Sequence, residues 1–122
     1  MKFYRIERDG AGPFQFGNSF PNHPISKKLN KLTKKFLHEL DSSDFPSPVD
    51  FPKLWNKLSA GWICATDSLE SLNLWFSKIM DILINEFEFH IYEIQVQDEY
   101  ILFGENQVLI NPEKIITKRK IK

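Results

Sequence analysis

The chain has 122 residues, 16 basic and 16 acidic side chains, 42% hydrophobic content and 14% aromatics, with Cys64 its only cysteine. That length suits one domain, 1–122, with one real core, and that composition excludes a disordered chain. The cancelled charge removes any global pull toward nucleic acid or an anionic membrane, and one cysteine excludes both an intramolecular disulfide and a cysteine-built zinc site.

Residues 2 to 7 (Lys-Phe-Tyr-Arg-Ile-Glu) alternate with period two and predict a first strand. Asp9-Gly10-Ala11-Gly12-Pro13 is turn-rich, and residues 14 to 24 read as irregular, broken by Pro21 and Pro24. Between Ile25 and Leu40, apolar residues recur every three or four positions (Ile25, Leu29, Leu32, Phe36, Leu37, Leu40), the signature of a helix with one buried face. Lys27, Lys28, Lys31, Lys34 and Lys35 fill its other faces. Three prolines and two adjacent serines mark 41–52 as a loop, and a short helical stretch follows with Phe51, Leu54, Trp55 and Leu58 on one side.

Gly61 to Ala65 predicts a short apolar strand, and Thr66-Asp67-Ser68-Leu69-Glu70 a helix start, with Asp67 as cap and Glu70 closing a capping box. The helix then continues through Leu72, Phe76, Ile79, Met80 and Leu83. Phe87, Phe89 and Ile91 alternate against polar residues, predicting a strand that runs toward Val96. Further strands are expected over Tyr100–Phe103, Gln107–Ile110 and Lys114–Ile121, separated by Gly104-Glu105-Asn106 and Asn111-Pro112. The order predicts an α+β fold, a mixed or antiparallel sheet arrangement with two main helices packed on it.

The start of the chain lacks the apolar segment of a signal peptide, no apolar run approaches the ~20 residues that span a bilayer, and the cysteine usage suits a reducing compartment. A cytoplasmic protein is the expectation. His23, His38 and His90 have no metal-ligand spacing. Cys64 reads as a buried small residue, and the aromatics Trp62, Trp75 and Phe76 as core, whereas Trp55 and Phe14 are candidates to line a pocket. The lysine helix and the C-terminal Lys118, Arg119, Lys120 and Lys122 read as solvated basic faces, with phosphate contact as the functional alternative.

Three pieces carry candidate chemistry: Tyr4-Arg5 on the opening strand, Cys64-Ala65-Thr66-Asp67-Ser68 at a strand-to-helix junction, and Glu105 to Pro112 entering a late strand. Together they resemble the mono-ADP-ribosyltransferase superfamily of the arginine–serine–glutamate type. Its members have an arginine on an early strand, a hydroxyl-rich strand end, and paired acidic residues just before an apolar strand followed by proline. The resemblance implies that Arg5 braces the phosphates of NAD, that Thr66 or Ser68 supplies the pocket hydroxyl, and that Gln107 stands at the catalytic glutamate with Glu105 two positions earlier. A carboxylate there stabilises the cation-like sugar formed as nicotinamide leaves, and an uncharged amide does not. Losing such a group costs on the order of 10² to 10³ in rate.

Each of these residues also has a structural reading: Arg5 as a surface ion-pair residue, Thr66, Asp67 and Ser68 as helix caps, and Gln107 as a polar strand residue. Over nearly the whole chain the sequence also resembles small phage and prophage proteins, through Tyr-Arg-Ile-Glu with Gly-Ala-Gly-Pro-Phe, Ser68-Leu69-Glu70-Ser71-Leu72 with Trp75-Phe76, and Tyr92-Glu93-Ile94. Gly104 with Gln107-Val108 extends the match. That resemblance implies a catalytically degenerate, binding inhibitor of a host protein or nucleoprotein complex, of the anti-defence or anti-CRISPR kind. The alternatives are an active NAD-dependent mono-ADP-ribosyltransferase, relying on Glu105, and a nucleic-acid-binding module using the lysine helix.

Overall fold

A computed structural model of the protein describes residues 2–13, 15–39, 62–97, 101–103 and 108–122. The short helix expected near 51–58, the turn at 104–106, Phe14 and Trp55 lie outside the described residues, as do Glu105 and Gln107.

The fold is α+β with two antiparallel sheets. Strands β1 (Lys2–Glu7), β3 (His90–Val96) and β6 (Ile115–Lys120) form one, in the order β1-β3-β6. Strands β2 (Ile63–Ala65), β5 (Val108–Ile110) and β4 (Ile101–Phe103) form the other, in the order β2-β5-β4. Among the described residues one antiparallel bridge joins the two: Tyr4 and Thr66 exchange both backbone hydrogen bonds at 2.8 Å. β1 and β2 are thereby neighbours.

The helices follow the apolar periodicity. α1 (Phe16–Ser19) is one turn within a stretch whose sequence reads as irregular, and α2 (Ser26–Glu39) buries Leu29 and Phe36. The stretch read as one helix from Leu69 to Leu83 is two, α3 (Leu69–Trp75) and α4 (Met80–Asn85). Between them the hydrogen bonding tightens to three-residue spacing, Ser77 N to Leu74 O and Ile79 N to Phe76 O. Leu72, Phe76, Ile79, Met80 and Leu83 are buried all the same. The capping residue is Ser68, whose Oγ accepts from Ser71 N at 3.0 Å, whereas Asp67 is exposed. The ring of apolar side chains on α2, α3 and α4 closes with Phe16, Phe89, Ile6 and Ile91 into the larger core. A second cluster (Phe3, Ala65, Val96, Val108, Ile110) sits where the two sheets meet.

Two backbone features depart from simple alternation. β3 begins at His90, three residues later than the pattern at Phe87 suggests, because Glu88 has φ 57. Arg8 pins that corner, donating through Nη1 to Phe87 O at 2.8 Å and pairing through Nη2 with Glu88 at 3.5 Å. After β1, Asp9 and Gly10 have φ of 50 and 85, and Arg8 and Ala11 exchange backbone bonds across them. This is the two-residue Asp-Gly turn whose twist matches antiparallel strands. A Cβ on Gly10 would touch nothing within 4 Å, so Gly10→Ala costs backbone strain alone. Urea unfolding should show a loss of about 1–2 kcal/mol.

Candidate functional site

Period-two geometry puts Phe3, Arg5 and Glu7 on one face of β1. Arg5 and Glu7 are both buried, at 5% and 2% exposure. A charge so placed must be paired, because desolvation penalises an isolated ion heavily. Arg5 Nε donates to Glu7 Oε2 at 2.8 Å and Nη1 donates to the Cys64 carbonyl at 2.8 Å. Lys118 Nζ, from β6, pairs with Glu7 Oε1 and lies 4.8 Å from the Tyr92 ring centroid. One carboxylate thus sits between two cations drawn from opposite edges of the sheet. Among the described residues, Arg5 Nη2 makes no hydrogen bond. It lies beneath Gly12, where a Cβ would come within 3.4 Å of it, so the absence of a side chain there lets the loop cross the guanidinium closely.

Arg5, Gly12, Cys64, Leu72, Trp75 and Phe76 help to line a cavity of about 50 Å³. Sites for small molecules typically enclose roughly 300–1,000 Å³. Its walls are mainly apolar, and burial pushes the Cys64 thiol up to about 11 against the opposing pull of Arg5. Cys64 is therefore a neutral thiol at pH 7 and a poor nucleophile. Two units of pKa above the ordinary 9.0 reduce its thiolate fraction about 100-fold at pH 8. Iodoacetamide should alkylate Cys64 slower by about that factor in the folded protein than in denaturant.

The hydroxyl candidates are spent on the fold. Thr66 is fully buried, its hydroxyl donating to the Ser68 carbonyl at 2.9 Å. Ser68 caps α3 and shares a hydroxyl–hydroxyl bond of 2.9 Å with Ser71. Arg5 lies on β1 and Thr66 just past the end of β2, bridged to Tyr4, and β5, which follows residue 107 in the chain, pairs with β2 through Ala65↔Val108. Ser68 stands beyond the strand end, at the start of α3. The residue that sequence reasoning missed is Glu7. The signal was present, since a strand places positions 5 and 7 on one face.

A family model described as Bacteriophage T4 Y00F protein matches residues 1–122. No curated protein and no solved structure matches.

Proposed function

The chain belongs to the bacteriophage T4 Y00F protein family, and from that premise we propose that it is a phage-encoded inhibitor that binds a host macromolecule. In this reading it carries an ADP-ribosyltransferase-like fold whose catalytic chemistry has decayed, and it works in the host cytoplasm against a protein or nucleoprotein complex of bacterial defence. No helix among the described residues is long and apolar enough to cross a membrane.

One observation carries the reading: Arg5, which the resemblance assigns to the phosphates of NAD, is 5% exposed and already paired with Glu7. A diphosphate reaching that guanidinium would meet the buried Glu7 carboxylate beside it, a like-charge contact in a medium of low dielectric. Thr66 and Ser68, held by internal hydrogen bonds, support the same conclusion. So does Gln107, which brings no negative charge to a developing sugar cation.

The experiment is a thermal-shift titration with NAD to millimolar concentration, paired with a plating assay. No stabilisation by NAD is expected, and expression in a defence-bearing host should restore plaques of a sensitive phage. Saturable NAD binding, or plating unchanged by expression, counts against the proposal.

A second reading, an active mono-ADP-ribosyltransferase, is favoured by the adjacency of β1, β2 and β5, the elements that hold or immediately follow the three candidate motifs. NAD-dependent labelling of a host protein that disappears in Glu105→Ala would establish it.

A further inference from the structure

The exposed face of α2 is built in a way that helix stability does not explain. Lys27, Lys28, Lys31, Lys34 and Lys35 are all exposed, while Leu29 and Phe36 turn into the core. At 100° per residue the five lysines fall within about 120° of the helix circumference, along roughly 12 Å of axis. Among the described residues none of them forms an ion pair, and the first turn of α2 has no acidic residue.

This arrangement works against the helix that carries it. Lys27 and Lys28 stand in the first turn, where the macrodipole favours negative charge. Lys27 with Lys31, and Lys31 with Lys35, are like charges four residues apart, each pair destabilising by a few tenths of a kcal/mol. The protein as a whole is neutral, so the stripe is a local concentration of positive charge balanced elsewhere on the chain.

We propose that this face of α2 docks on the phosphate backbone of a double-stranded nucleic acid, without reading its sequence. Lysines are point charges suited to phosphates, and the stripe holds no arginine for bidentate readout of bases. Between Lys27 and Lys35 the stripe holds no aromatic residue on which an unpaired base would stack, which separates it from single-strand binders. It also lacks the buried aromatic or arginine anchor that dominates protein–protein contacts, so an acidic protein surface fits it less well. The proposal goes beyond the inhibitor reading and does not depend on the ribosyltransferase resemblance.

Fluorescence anisotropy with random-sequence duplex DNA and duplex RNA tests it. If four lysines each neutralise one phosphate, the affinity falls by about 150-fold between 50 and 200 mM salt, a log–log slope of about −3.6. The double substitution Lys31→Glu with Lys35→Glu should abolish binding at the lower salt. Both positions are exposed, and circular dichroism should show the fold retained. The single Lys35→Gln should reduce the slope by about one contact, ~0.9. Binding of either duplex with these responses supports the proposal. It is overturned by no duplex binding at low salt, by binding that survives the double substitution, or by polyglutamate or single-stranded DNA binding as tightly as the duplex.

Discussion

Glu7→Gln is expected to lower the unfolding free energy by about 3–5 kcal/mol, the cost of leaving a buried cation without its partner. The asymmetry of the network sets the direction. Glu7 accepts from Arg5 at 2.8 Å and is also paired with Lys118, whereas among the described residues Arg5 pairs with no other carboxylate. Lys118 is 34% exposed and can turn to water when Glu7 loses its charge; Arg5, at 5%, cannot. Arg5→Met should therefore cost less than Glu7→Gln, because Glu7 keeps Lys118. The double change Arg5→Met with Glu7→Leu should recover most of the loss, since buried ion pairs replaced by well-packed apolar residues are often neutral or stabilising. Urea midpoints for the three proteins decide it. A Glu7→Gln midpoint equal to that of the parent would mean that Arg5 is solvated in solution, and the burial argument behind the proposed function would fall with it.

Phe89→Ala should cost a similar amount, about 3–5 kcal/mol, through lost transfer energy and the cavity left behind. Phe89 is fully buried, and its ring meets Phe16 edge-on with centroids 5.7 Å apart. Phe16 in turn packs on Phe20 at 4.8 Å and lies under the Arg8 guanidinium at 5.7 Å. The truncation therefore loosens the seat of α1 as well as the start of β3. Phe89→Leu, which preserves most of the volume, should cost less than about 1.5 kcal/mol. A double-mutant cycle with Phe16→Ala should return a coupling of about 0.5–1.5 kcal/mol, the excess of an aromatic pair over its buried area. Strict additivity would show that the edge contact contributes nothing beyond hydrophobic burial.

What could be read from the sequence was local. The alternation over residues 2–7 gave β1 with its bounds, and the 3.6 period gave α2 to within a residue at either end. Asp9-Gly10 announced a turn through the backbone freedom of its residues. The break between α3 and α4 left no mark, because Leu72, Phe76, Ile79, Met80 and Leu83 keep the spacing of one continuous face. Glu88 hid in the same way, since Phe87 and Phe89 on either side of it are both buried, as an unbroken alternation would also place them.

For the candidate site, Arg5 stood out on the opening strand as a phosphate clamp or a surface ion-pair residue; its burial was not foreseen, although its neighbour Glu7 was within reach of the same periodicity. Lys118 was not, because nothing in the chain says that β6 lies beside β3. Likewise Thr66 and Ser68 were recognisable as hydroxyls at a helix start, but dividing them between a buried hydrogen bond and a cap needed coordinates.

The two sheets are threaded alternately by the chain: first strand in one, second in the other, third back in the first, then two in the second and the last in the first. Neither sheet is built from consecutive strands. Lys2 waits for Gln95, Ile63 for Ile110, and Tyr92 for Lys120. The loops between such partners must close before the contacts reward them, which places folding among the slower, non-local topologies, on a scale of roughly milliseconds to seconds. A nascent chain that has reached α4 holds β1 and β2 but neither of the central strands that pair with them. An N-terminal fragment that ends at α4 therefore completes neither sheet, and each of its strands is left with an unpaired edge until β3 and β5 arrive.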